Sequence, residues 1–232
     1  MIDVIQSDTR GSADHGWLQS RHTFSFAGYY DPARIHFGAL RVINEDRVAP
    51  GQGFGTHPHN DMEIISYVAS GAMEHKDSMG NGTVIREGEI QRMTAGTGVL
   101  HSEFNHSQDE PVHFLQIWII PERNGLEPGY EQTLFPREDK LNRLRLVGSR
   151  DGRDGSLTIH QDVDLYASVL ESGRTVTLDD VAQRRIFVQV IAGRIEVNGT
   201  RLAAGDGAQL GEQDALTIAA LDDAEFLLFN LA

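Results

Sequence analysis

Gly51-Gln-Gly-Phe-Gly-Thr-His57-Pro-His59-Asn-Asp-Met-Glu63 is the stretch on which the reading of this chain turns. Alternate side chains of a β-strand share a face, so His57 and His59 stand side by side while Pro58 points the other way. Proline has no amide proton to give to a ladder, so this strand should begin here or lie at a sheet edge. A second stretch, Thr94-Ala-Gly-Thr-Gly-Val-Leu-His101-Ser-Glu103-Phe-Asn105, repeats the device with an imidazole and a carboxylate two residues apart. Glycine-rich approaches let backbones pack closely and turn sharply where such side chains converge. If the two strands face each other in a small β-barrel, His57, His59, His101 and Glu103 offer three nitrogens and one oxygen to one divalent transition metal. Iron is the first expectation, and zinc, copper, nickel, manganese or cobalt are compatible. Positions stay open for water, substrate or dioxygen.

Outward from these segments the chain reads as all-β. Runs of Val, Ile, Phe, Thr and Tyr are short and are broken by Gly71, Gly80-Asn81-Gly82, Gly88, Gly193, Asn198-Gly199 and Gly205-Asp206-Gly207. Phe114–Ile120 and Ile186–Ile191 read as strands. Asn198-Gly199, between Ile195-Glu-Val197 and Thr200-Arg-Leu202, signals a two-residue hairpin. Helical periodicity is scarce. A faint repeat relates the two halves: Val68-Ala-Ser-Gly71 followed by Gly82-Thr-Val-Ile-Arg-Glu-Gly88-Glu89, then Ile191-Ala-Gly193 followed by Gly199-Thr-Arg-Leu-Ala-Ala-Gly205-Asp206. Two domains follow as the expectation, 1–137 binding the metal and 138–232 free of it. The polar stretch Gly148–Gly155 is a candidate crossing between them.

Cysteine is absent, which removes disulfides, thiolate nucleophiles, iron–sulfur clusters and Cys-type zinc sites, so nitrogen and oxygen must hold any metal. The formal charge of −14, without a local basic run, opposes direct nucleic-acid binding. The opening MIDVIQSDTR has no apolar leader, and nothing approaches the roughly 18 apolar residues of a membrane span. A cytoplasmic protein with no membrane partner is therefore expected.

The two motifs resemble those of the cupin superfamily. Together with His22-Thr-Phe-Ser-Phe-Ala-Gly-Tyr-Tyr-Asp-Pro32, Thr94-Ala-Gly and Gln116-Ile-Trp-Ile, they resemble the pirin family more narrowly. Thr94 in place of the usual cupin proline, the longer Gly96-to-His101 gap and the longer Glu63-to-Gly71 gap all lean the same way. The resemblance implies a bicupin of two packed β-barrel or jelly-roll domains with one metal in the first. It gives the fourth ligand to Glu103, where generic cupins would nominate Glu63. Carrying the repeat spacings into the second half lands on Asp179 and Ile218, and no histidine follows His160, so that half holds no His-based metal site.

Functionally, the resemblance implies a quercetin 2,3-dioxygenase. It would open the central ring of a flavonol with dioxygen and release carbon monoxide, with Glu103 as the catalytic base. The alternative is a non-catalytic, metal-dependent regulatory or redox-sensing protein acting through a protein partner. A sugar-cupin-type isomerase is a third and weaker option, since no phosphate cradle is in evidence. A monomer is expected, because two barrels can cover each other's open faces. His15, His22, His36, His75, His106, His113 and His160 read individually as structural or exposed, with His22 and His36 able to line a pocket. Phe24, Phe26, Phe37, Phe54, Phe114 and Trp118 read as core.

Overall fold

Short β-branched runs punctuated by glycine turns become strands almost throughout the computed structural model, which describes residues 2–179, 181–211 and 215–232. Helix is confined, among the described residues, to Arg137–Lys140 and two short 3-10 turns, and no helix is long and apolar enough to cross a membrane. The chain divides into two compact units. One comprises Gly11–Leu134 with Leu157–Gln161, the other Met1–Arg10, Phe135–Ser156 and Asp162–Ala232. A single cut at 137/138 differs from this division at both ends. Strand Ile2–Ile5 pairs with Gly207–Leu210, so the first residues belong to the C-terminal unit. Gly148–Gly155 lies inside that unit instead of forming the crossing, and the chain passes to the other unit just beyond it, at Ser156/Leu157.

The N-terminal unit is a two-layer sandwich. A seven-stranded sheet runs in the order Gly129–Leu134, Glu89–Thr94, Glu63–Ser70, Val112–Ile119, Leu40–Val48, Leu18–His22 and Gly11–Asp14. Facing it is a four-stranded sheet in the order Gly53–His59, Val99–Asn105, Ala72–Asp77 and Gly82–Arg86. The His57 strand is thus the edge strand that Pro58 requires. Leu18, Val48, Val68, Met73, Ile85, Val112 and Phe114 close the sandwich at one end as an apolar core. Each such side chain contributes roughly 1.5–3 kcal/mol by leaving water.

The C-terminal unit repeats the plan. Its larger sheet runs Ile2–Ile5, Gly207–Leu210, Arg185–Ala192, Ala224–Leu231, Val163–Leu170 and Arg145–Ser149. Its smaller sheet runs Thr175–Asp179, Ala215–Ala220, Arg194–Val197 and Thr200–Ala203. The repeat glycines occupy matching corners: Gly71 and Gly193 (φ 82° and 72°) join corresponding strands, as do Gly88 and Gly205 (φ 84° and 85°). Between the layers, Val176, Val188, Val190, Ile195, Val197, Leu216, Ile218, Phe226 and Leu228 form one buried apolar cluster.

Candidate metal centre

The smaller sheet of the N-terminal unit carries all four expected ligands. His101 pairs directly with His57, and Val99 pairs with His59, so the three imidazoles project from adjacent strands onto one face. A bulge between His101 and Glu103 interrupts pairing with the edge strand, whereas register with Ala72–Asp77 is continuous and keeps Glu103 on the same face as His101. Gly53 makes this possible: a Cβ there would lie 2.3 Å from the carbonyl oxygen of Glu103.

The imidazole centroids are 4.8 Å apart for His57–His59, 4.4 Å for His57–His101 and 4.8 Å for His59–His101, and one ring nitrogen from each lies within 4.8 Å of the others. His57 Nδ1 donates to the Gly55 carbonyl at 2.8 Å, which leaves Nε2 as the nitrogen free to ligate an ion. His101 is 1% exposed, and neither of its ring nitrogens has a hydrogen-bond partner. Burial, then the neighbouring His57 and His75, push its pKa down to about 3. Burial, followed by His101 and His57, lowers His59 to about 4 against the opposing pull of Glu103. Both rings are therefore uncharged at neutral pH. An uncharged imidazole with two unsatisfied buried nitrogens, as His101 has, is costly to fold without a partner, and a divalent cation is a partner of the right kind. Glu103, 3% exposed, accepts from Ser66 Oγ at 3.2 Å and Gln116 Nε2 at 2.8 Å, both reaching across from the larger sheet. The residues present fit a divalent transition metal.

Glu63 lies elsewhere. Ser66 faces Glu103, and Glu63, three residues earlier in a regularly paired strand, faces the opposite side. There its Oε2 meets His160 Nδ1 at 3.2 Å, with Arg92 at 4.0 Å.

A cavity of about 280 Å³ opens over the imidazoles, just below the roughly 300–1,000 Å³ range for small-molecule sites. Phe26, Phe54 and Trp118, expected as core, line it together with Trp17. Trp118 packs edge-on to both His59 (4.8 Å) and Phe26 (5.4 Å), so these aromatics form a wall around the metal position. Phe24 and Phe114 are core, as read. His22 lines the cavity with Nδ1 2.8 Å from Asn44 Oδ1, beside a Ser20–Asp46 hydrogen bond. His15 also reaches it, whereas His36 is exposed and bonds to the Gly38 carbonyl. The residue that single-histidine reasoning missed is His75, fully buried next to His101. Its signal was the doublet His75-Lys-Asp77, spaced like the ligand pairs. In the C-terminal unit the strands corresponding to His57 and His101 place Val176, Leu178, Leu216 and Ile218 at the interior, where no metal donor stands among the described residues.

Comparison with known proteins agrees with this architecture. Residues 4–119 match the Pirin family model, and residues 146–231 match the model of the quercetinase C-terminal cupin domain. The chain is 49% identical over 231 residues to quercetin 2,3-dioxygenase of Escherichia coli K12, covering 100% of this chain and 99% of that protein. It is 42% identical over 233 residues to a pirin-like protein of Caulobacter vibrioides, with both chains fully covered. The crystal structure of an Escherichia coli bacterial pirin in complex with nickel(II) superposes with a TM-score of 0.95 at 48% identity, covering 100% of this chain and 99% of that one.

Proposed function

The chain belongs to the pirin family, and from that premise we propose that it is a metal-dependent dioxygenase. Its reaction opens the central ring of a flavonol such as quercetin and releases carbon monoxide. The observation that carries the reading is the convergence of three imidazoles and a buried carboxylate beneath an aromatic-walled cavity. The activity named for the Escherichia coli relative supports it. His57, His59, His101 and Glu103 would hold the ion, with iron the first choice; nickel occupies the related crystal structure. Bound there, a divalent transition metal supplies Lewis acidity toward the substrate's hydroxyl oxygen and a route to dioxygen chemistry.

The chain's own side chains do the rest. Glu103 takes the proton of the flavonol 3-hydroxyl. Ser66 and Gln116, each donating to a different carboxylate oxygen, hold it in position for that transfer. Phe26, Trp118, Trp17 and Phe54 offer flat apolar faces to the aryl rings and keep bulk water from them. His57 and His59 remain half-buried at the cavity floor, so the open side of the site faces the substrate.

An aerobic assay of protein reloaded with each candidate metal in turn, with quercetin as substrate, tests this. Ring opening with carbon monoxide release, lost in both His57→Ala and Glu103→Ala, is the expected result. The second reading, a metal-dependent binding protein, draws on the C-terminal unit, which repeats the fold around a buried apolar cluster in place of the histidines. Absence of turnover with every metal, together with a stoichiometric partner, would favour it.

A further inference from the structure

Beside His101 and Glu103, on the strand Ala72–Asp77, stand His75 and Asp77. Register sets Glu103 opposite His75 and His101 opposite Asp77, so all four side chains share one face. His75 is fully buried; its Nε2 lies 3.1 Å from Asp77 Oδ2, and its Nδ1 has no hydrogen-bond partner. Its ring centroid is 5.5 Å from that of His101. One nitrogen of each ring and a Glu103 oxygen lie within 4.8 Å of one another. Asp77 is fixed in turn by the amides of Met79 and Asn81 and by Asn81 Nδ2. The Tyr130 ring centroid lies 5.0 Å from that of His75, its hydroxyl engaged with Thr83 and Gln132.

Hydrogen-bond chemistry narrows what His75 can do. A carboxylate accepts, so Asp77 takes its hydrogen bond from His75 Nε2, and Nδ1 is left as the ring's acceptor position. Glu103 itself accepts, from Ser66 and Gln116, and the Tyr130 hydroxyl is engaged with Thr83 and Gln132. The remaining donor is a ring N–H of His101, whose two nitrogens are both buried without partners. We propose that His75 is a positioning residue of the metal centre: when one nitrogen of His101 ligates the ion, the other donates its proton to His75 Nδ1, completing a chain Asp77–His75–His101. This rests on the ligand assignment proposed above. Ligating histidines generally anchor their second nitrogen in this way, which sets the tautomer and ring orientation. His57 already does so through the Gly55 carbonyl. For His101 the anchor is a buried imidazole polarised by a carboxylate.

The test uses the full-length protein loaded with zinc, a diamagnetic probe, and ¹⁵N-labelled at histidine. Long-range proton–nitrogen correlation should show His75 protonated on Nε2 only and an exchange-protected N–H on the non-ligating nitrogen of His101. In competition with a chelator, His75→Phe should weaken zinc binding about 10–100-fold. Tyr130→Phe, which disturbs the same neighbourhood but keeps the acceptor, should stay within about threefold of wild type. His75 protonated on Nδ1, or a His75→Phe protein that binds as tightly as wild type, would each overturn the proposal while leaving the four ligands standing; His75 itself ligating zinc would overturn the proposal and the four-ligand assignment together. If His75→Phe fails to fold, the wild-type spectrum alone decides. A wild-type chain that takes up no zinc overturns the ligand assignment and this proposal together.

Discussion

Replacing His101 by leucine should stabilise the metal-free protein and abolish its response to metal. His101 buries two ring nitrogens that find no hydrogen-bond partner, and each such atom costs about 1–3 kcal/mol. With a pKa near 3 the ring is neutral at pH 7.5, so the substitution removes no charge. Leucine has nearly the same volume and needs no partner, but its different shape returns roughly 1–3 kcal/mol as misfit. The balance is a gain of about 2 kcal/mol, or roughly 4–8 °C in the melting temperature of a chain this size. Metal reverses the order. At a thousand times its Kd, an ion bound only by the folded state adds about 4 kcal/mol to wild type and nothing to the variant. Scanning calorimetry at pH 7.5, with chelator and then with excess zinc, should therefore show the two melting curves exchanging places. A metal-free His101→Leu that melts below wild type would refute the claim that His101 is an unsatisfied burden. A variant that keeps the metal-induced rise would refute its role as ligand.

Three further outcomes follow from the same structure. Stability of the metal-free protein should fall as pH drops from 6.5 toward 4: the folded pKa values of His59 and His101 lie below the unfolded value, so the unfolded chain takes up protons first, and the loss reads out as a falling urea midpoint. Gly53→Val should cost about 3 kcal/mol or more by the same urea titration and reduce metal content, because the added Cβ meets the Glu103 carbonyl beneath the bulge; tolerance without loss would contradict the close approach. Asn198→Ala should lower stability by about 2 kcal/mol with metal content unchanged, since Asn198 sits at φ 43° and its side chain bonds the Thr217 amide at 2.8 Å and the Ala215 carbonyl at 3.2 Å.

Much of the fold was legible because its signals are local. Pro58 announces an edge strand, Asn198-Gly199 a hairpin, and Gly71, Gly88, Gly193 and Gly205 the corners of a repeated plan. The ligand doublets were legible for the same reason, since period-two spacing fixes a shared face. What escaped depends on pairing between distant strands. Nothing local says that Ala72–Asp77 lies beside Val99–Asn105, and without that register His75 reads as one more core histidine. Nor does sequence tell an aromatic on the inner face over the apolar core, such as Phe114, from one over the cavity, such as Trp118. The compact units differ from a single cut at 137/138 for a related reason: Ile2–Ile5 joins a sheet whose other strands lie beyond residue 144, and strand order cannot be read from composition.

The proposed chemistry requires four side chains to meet at a single ion. Anomalous diffraction at the absorption edge of a reloaded metal measures this directly. One peak per chain, bounded by His57, His59, His101 and Glu103 within normal coordination distance, is the predicted result; a peak at Glu63 and His160, or none at saturating metal, would contradict it.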